Sequence, residues 1–377
     1  MKKSIFILSI IFSFKAFAEI ASGDDCGKNC RWSISDEGTL TVWAGDDNGG
    51  KGSIGKYKFT SDKTSTTAPW GAYKDDIKNI DIQEGITDLG KHAFARISST
   101  NPVILPESIT SISNTGLGYI RAPEIVIPNS VTSIESSAFA WTSTCKVDIP
   151  SSVTQIGSYA FRGTGMTDMV IPDTVLSIAD AAFSAPKNLK SLVIGENTSV
   201  GNIFYYNNEI PDLSNLKMFC SASNVTSCAD ALRAVGVTDE NIANTLKTYS
   251  KDANGFYQID DSLYANATLM AHGAACDDAA NCQAILDAAS QGEPFMVGGK
   301  YYATIDLFAN RAACTSLKNC EDMLQAASQN APFKVGSKIY HSLEDFANGD
   351  YDKKRIYTID EANFVSGKKN SVTIRYK

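Results

Sequence analysis

At 377 residues, 43% hydrophobic and 20% charged, the chain has the make-up of several folded modules or an array and not of a disordered polymer. Its formal charge of −8, with no basic stripe, argues against nucleic acid or anionic lipid as a ligand. Beyond residue 18 no stretch approaches the ~20 apolar residues of a membrane span. The chain starts with Lys2 and Lys3, an apolar run "SIFILSIIFSF" and small residues at Ala16 and Ala18, which predicts a secretory signal peptide over 1–18 with cleavage after Ala18. Its removal would take three of the 34 basic residues and none of the 42 acidic ones, so the formal charge becomes 31 − 42 = −11. Further on, "GDDNGGKG" at 45–52 offers Asp46, Asp47 and Asn48. It lacks the alternating carboxylates and distal Glu of a calcium loop and reads as a turn. The loop "GKYKFTSDK" at 55–63 has no phosphate-binding pattern.

The middle of the chain repeats itself. "VILPESITSIS", "IVIPNSVTSIESSAF", "VDIPSSVTQIGSYAF" and "MVIPDTVLSIADAAF" are one phrase written four times, with Pro106, Pro128, Pro150 and Pro172 spaced by 22. Phe139, Phe161 and Phe183 keep the same step, and Leu117 holds the preceding slot. An upstream copy, "IDIQEGITDLGKHAF", ends at Phe94, and "LVIG" at 192–195 opens a last, degenerate turn. A unit this short has no second layer to bury its apolar side, so the copies must stack. Val103/Leu105, Ile125/Ile127, Val147/Ile149, Met169/Ile171 and Leu192/Ile194 alternate with the period of a strand, and Pro ends each strand because it has no N–H to continue a ladder. A second apolar pair follows at Val131/Ile134, Val153/Ile156 and Val175/Ile178, and then "AF", whose Phe is expected in the interior. About six buried side chains per coil, at ~1.5–3 kcal/mol each, offset the ordering entropy only when neighbouring coils cover them. The expected fold is therefore a β-rich repeat of the α/β solenoid class, with coils of about 22–23 residues.

The phrase at 147–161 resembles the BspA-like leucine-rich repeats of bacterial surface proteins, whose pattern is roughly L-x-x-I-x-I-P-x-x-V-T-x-I-G-x-x-A-F. "CRWSISDEGTLTVWAGDD" and "APWGAYKDDIKNIDIQEGITDLGKHAF" are similar to that family's amino-terminal cap and first repeat, so the likeness covers 26 to about 205. It implies a right-handed solenoid over 76–215, preceded by a β cap over 19–75, and a role in surface adhesion or host-protein binding. Two departures stand out. Where the family often carries Cys three positions after the repeat Phe, this chain has Ile97, Thr142, Thr164 and Pro186, and Gly116–Leu117 replaces "AF" in the second copy.

After Cys220 the phrase changes. "CDDAANCQAILDAASQGEPFMVGGKYYATIDLFAN" returns as "CTSLKNCEDMLQAASQNAPFKVGSKIYHSLEDFAN", with Cys276/Cys314, Pro294/Pro332 and Phe308/Phe346 all 38 apart, and a diverged copy starts at Cys220. Three small α+β disulfide-bearing modules are expected over 216–350. Each consists of a cystine-closed turn, an amphipathic helix such as 284–290, a short hairpin after "PF" and an aromatic anchor. A tail over 351–377 is expected to hold a short helix and a final strand. Eight of the nine cysteines fall into close pairs, Cys26/Cys30, Cys220/Cys228, Cys276/Cys282 and Cys314/Cys320, which fits an exported protein. Pairing by proximity is the simplest connectivity, although spacing alone does not decide it. Zinc needs compact sets of four ligands, and His92, His272 and His341 are isolated. Cys145 stands alone at a strand start and reads as a small buried or half-buried residue.

Catalytic chemistry does not converge anywhere in the sequence: no nucleophile, base and metal set is assembled, and no cofactor is expected. Ser and Thr of the repeats sit at turn positions where their hydroxyls are expected to satisfy local backbone. What remains is surface. The outward strand positions Ile104, Val126, Asp148, Val170 and Val193, flanked by Glu124, Lys146 and Asp168, form a column with four apolar members. This column is the expected protein-contact face, and Trp141 is a second anchor because indoles are enriched at interface hot spots. The expected function is that of an exported, non-enzymatic protein-binding or adhesion module whose partner is an unidentified extracellular or host protein. The protein would be secreted, surface-held or periplasmic. The competing readings are an envelope protein whose repeats act as a spacer and, more weakly, a secreted hydrolase.

Overall fold

Each copy of the phrase folds into one coil with two short strands. In the copy that contains Pro150, Lys146–Asp148 is the first strand, with only Val147 turned inward, and Gln155–Ile156 is the second, with Ile156 turned inward. Proline closes the first strand as expected, and the chain turns there before the second. The computed structural model describes residues 19–144, 146–205, 211–329 and 331–351, and clusters into two units, one ending at Thr248 and the other starting at Tyr249. The expected signal peptide at 1–18, Cys145 and the tail at 352–377 lie outside the described residues.

In the first unit Glu19–Gly23, Cys30–Ser35 and Thr39–Ala44 make an antiparallel sheet, and Thr39–Ala44 then pairs in parallel with Asn79–Ile82. That switch converts a cap into the first rung of a parallel stack. Val103–Ile104, Glu124–Val126 and Lys146–Asp148 pair in parallel and in register, as do Asp168–Val170, Ser191–Val193 and Lys217–Ser221. On the other side of the coils run five parallel two-residue strands, Ser111–Ile112, Ser133–Ile134, Gln155–Ile156, Ser177–Ile178 and Ser199–Val200. Between the two sheets the recurring phenylalanines lie one above another. Phe139 and Phe161 stack at 5.2 Å and 9°, Phe161 and Phe183 at 5.4 Å and 12°. Trp70 of the cap extends this pile by stacking on Phe94 at 5.6 Å, with its Nε1 donating to the Ala93 carbonyl. Leu117 fills the second slot and is fully buried, so the Gly116–Leu117 departure keeps the spine continuous in apolar character.

Three details differ from expectation. The hydroxyls of the turn after each proline do not serve local backbone. Ser108, Ser130, Ser152 and Thr174 donate to the carbonyls of Ile86, Ile109, Val131 and Val153 in the preceding coil, at 2.6–3.1 Å, so they tie coil to coil. The turn that follows Leu192 is not a degenerate end, because Phe204 is buried in the phenylalanine slot and Lys217–Ser221 adds another parallel strand. Cys220 and Cys228 accordingly belong to the core of the first unit, where the helix Val225–Arg233 follows the strand, rather than to the cystine modules. The segment 45–52 is held by Asn29, whose amide donates to the carbonyls of Gly45, Asp47 and Lys51.

The second unit repeats a hairpin and a short helix: Phe295–Val297, Lys300–Tyr302 and Ile305–Ala309, then Phe333–Val335, Lys338–Tyr340 and Leu343–Asn348. Both copies build the same aromatic trio, Phe295/Tyr302/Phe308 and Phe333/Tyr340/Phe346. The helix expected at 284–290 is longer, Ala279–Gln291, and starts inside the cystine ring because Asp278 accepts the Asn281 N–H as its N-cap. Ser316 caps Leu317–Ser328 in the same way. The four proximal cysteine pairs are all joined: Cys26–Cys30, Cys220–Cys228, Cys276–Cys282 and Cys314–Cys320.

Candidate protein-binding face

Because side chains alternate along a strand, the middle residue of each three-residue rung points in and its neighbours point out. Register then builds the outward column from Ile104↔Val126 and Asp148↔Val126 on one side, and from Val170↔Val193 and Val193↔Phe219 on the other. Ile104 is 62% exposed and Val126 39%, next to each other on paired strands. Asp148 is exposed and Val170 half-buried. Val193 is not part of the accessible face. It is only 1% exposed, and its register partner Phe219 on the next strand is buried as well. One copy upstream, exposed Asp81 holds the position that Ile104 holds in the next repeat. The accessible face is therefore a two-rung apolar island with a carboxylate at either end.

The flanking column carries charge. Lys146 Nζ lies 3.3 Å from Glu124 and 3.6 Å from Asp148, so these two carboxylates are partly neutralised. Exposed pairs like these contribute ~0–1 kcal/mol to stability. Their effect here is to fix where the charges stand. Asp168 is half-buried and accepts the Thr167 hydroxyl at 2.6 Å.

The structure does not bring Trp141 into this lattice. It belongs to the "AF" turn, where sequence reasoning had no view of the backbone. In five successive coils two positions four residues apart adopt positive φ: 92/96, 115/119, 137/141, 159/163 and 181/185. Nine of these ten residues are not glycine. Left-handed backbone at such residues costs roughly 1–2 kcal/mol each. It turns the N–H of Tyr119, Trp141 and Gly163 toward the carbonyls of Ala140, Arg162 and Ser184 in the following coil, and these bonds offset the cost. The side chains then stand along the turn side as an aromatic and cationic ridge. Phe59 packs edge-on against Tyr119 at 4.8 Å and lies 4.9 Å from His92, and Arg96 Cζ sits 5.5 Å from the Tyr119 ring. Further along, Arg162 Cζ and Lys187 Nζ each lie 5.3 Å from the Trp141 ring centre. The 22-residue step of these positions was visible in the sequence. Their left-handed backbone was not, because the residues that usually announce it, Gly and Asn, are absent from most of them.

Among the described residues, no group of three or more His, Cys, Asp or Glu is placed to hold a metal ion. No helix among them is long and apolar enough to cross a membrane.

Compared with known families, the chain matches the BspA type leucine-rich repeat region in six copies, over residues 72–190 and 118–229. Similar solved structures include a leucine-rich repeat protein from Eubacterium ventriosum, 22% identical, with 48% of this chain and 45% of that one covered and a TM-score of 0.40. The matched part thus spans under half the length of that protein. A leucine-rich repeat protein of T. pallidum is 18% identical, over 48% of this chain and 92% of that one, with a TM-score of 0.27. A leucine-rich cell surface protein of Faecalibacterium prausnitzii is 15% identical, over 60% and 97%, with a TM-score of 0.21. No curated protein matches the chain.

Proposed function

We propose, from the premise that residues 72–229 belong to the BspA-type leucine-rich repeat family, that the chain is an exported, non-enzymatic module that binds a protein through the strand face around Ile104 and Val126. The single observation that carries this reading is the exposed apolar island with Asp81 at one end and Asp148 and Glu124 at the other. β-Propensity accounts for branched residues on a strand. It does not account for two neighbouring rungs left open in a column whose Val193 and Phe219 are buried. The matching partner surface is an apolar side chain framed by Lys or Arg, and full burial of each island residue would contribute ~1.5–3 kcal/mol. Export agrees with four disulfides, which persist outside the reducing cytosol, and with the leader expected at 1–18.

The test is capture from extracellular fluid and, in parallel, from the producing cell's envelope, with the wild type, Ile104→Lys, Val126→Lys and Leu176→Lys. Leu176 is 58% exposed but belongs to the opposite sheet side, next to Ser177–Ile178. Partner retention is expected to be lost in the two strand-face variants and kept in Leu176→Lys, with all four proteins equally stable. Undiminished retention by folded Val126→Lys would remove this face from consideration. Retention only from the envelope would favour the spacer reading.

A further inference from the structure

The ridge on the turn side carries a second, independent site. The Trp141 indole lies across Gly163: a Cβ built on that glycine would stand 2.4 Å from Cε3, 2.5 Å from Cζ3 and 2.9 Å from Cδ2. The flat approach is possible only because residue 163 has no side chain, and the indole is held at the surface, half-buried. Arg162 and Lys187 each bring a cation to 5.3 Å from the ring centre, and Arg162 also lies 5.7 Å from the Tyr159 ring. Lys187 makes no salt bridge among the described residues, so its ammonium is oriented by the indole alone. The same lysine lines a cleft of about 580 Å³ shared with Thr167, Asn188, Lys190, Asp212 and Asn215. The cleft falls inside the ~300–1,000 Å³ range of small-ligand sites.

We propose that Trp141, Arg162, Lys187 and this adjoining cleft bind an acidic saccharide, a sugar that bears a carboxylate or a sulfate. The chemistry is complementary group by group. A rigid indole edge and face suit the C–H side of a pyranose ring, the two cations suit the acid group, and the amides of Asn188 and Asn215 suit ring hydroxyls. Counted with Arg162 at the indole, the cleft cations Lys187 and Lys190 outnumber Asp212 and the Asp168 that accepts the Thr167 hydroxyl, three against two, a local excess of positive charge in a chain whose formal total is −8. Because the whole molecule repels anions, attachment of an acidic ligand has to be local and cannot arise from net charge. This site does not rest on the strand-face reading.

The experiment is titration calorimetry of the full chain at about 0.15 M salt, where long-range attraction is screened. The probes are a heparin tetrasaccharide, a tetragalacturonate, neutral cellotetraose and hexaglutamate. One acidic saccharide at least is expected to bind, with cellotetraose and hexaglutamate at least tenfold weaker. Lys187→Gln, at an exposed position, and Trp141→Ala should each weaken binding by roughly 3- to 10-fold, the loss of one cation–π or charge-assisted contact. Trp141→Phe should restore part of it, and Val126→Lys should leave it unchanged. Four results overturn the proposal: no binding of either acidic saccharide, affinity untouched in folded Lys187→Gln, cellotetraose bound as tightly as the acidic sugars, or hexaglutamate bound as tightly. The last would make the site a reader of acidic peptides.

Discussion

Gly163 is the residue where the repeat and its surface meet. Its φ of +62° recurs at the equivalent position of four other coils, so glycine is not needed for the backbone alone; Arg96, Tyr119, Trp141 and Ala185 manage the same conformation. It is needed because Trp141 covers it. Gly163→Ala should destabilise by the ~1–2 kcal/mol that left-handed backbone costs the other coils too, and further through the collision of its Cβ with the indole. It should also push the indole outward, seen as a red shift of tryptophan emission; an unshifted spectrum would show that the indole does not rest there. His92 supplies a pH signature. Burial, with a smaller contribution from the Lys91 charge, lowers its pKa below the usual 6.5, and its Nδ1 is buried without a hydrogen-bond partner among the described residues. An imidazole that holds its proton less tightly in the folded chain stabilises the fold above the unfolded value, and that contribution is lost as pH falls through the lowered folded one. His92→Asn suits the φ of 56° and removes the titration. The wild-type thermal midpoint should fall relative to the variant's as pH drops below about 6.5, and parallel curves would contradict the assignment. At this scale the outward direction of Ile104, Val126 and Asp148 follows from alternation, and all three are exposed. Val193 points outward by the same alternation and is nevertheless buried, as is its register partner Phe219, a tertiary fact with no local mark.

A coil has two kinds of fastening, and they differ in magnitude. The phenylalanine stack buries a whole ring per coil: Phe161→Ala leaves a hole between Phe139 and Phe183 and should cost ~3–5 kcal/mol. The hydroxyl ladder supplies one hydrogen bond per coil, and Ser152→Ala should cost only about 0.5–1.5 kcal/mol. Denaturant titration of both variants checks the order, and a reversed ranking would mean that the coils are held by the ladder and not by the core. The strands, their alternation and the Phe slot were legible because each is a repetition at fixed spacing. The ladder was not, since a serine after Pro satisfies its own turn in most proteins and only stacking puts a carbonyl of the previous coil within reach. The helix Ala279–Gln291 was legible in kind but not in extent. Its first turn is fixed by the Asp278 cap inside a ring that looked like a closed loop.

On the scale of the molecule, charge and apolar surface are partitioned. The strand side of the first unit presents a small apolar island among carboxylates, and the turn side presents aromatic rings with Arg96, Arg162 and Lys187 against them. The second unit keeps its own core around repeated aromatic trios and two cystines. Fold class was readable from one phrase repeated, because a 22-residue unit with two apolar stripes has no stable form except a stack. Where the stack ends was not readable: Lys217–Ser221 lacks the phrase, yet it pairs in parallel with Ser191–Val193 and buries Met218 and Cys220 in the same core. Site-specific photocrosslinking tests the central claim most directly, with the crosslinking side chain placed in turn at Val126, Ile104 and Ser177. The account predicts adducts with a partner protein from positions 126 and 104 and none from 177. Adducts from 177 alone, with the strand face silent, would contradict it.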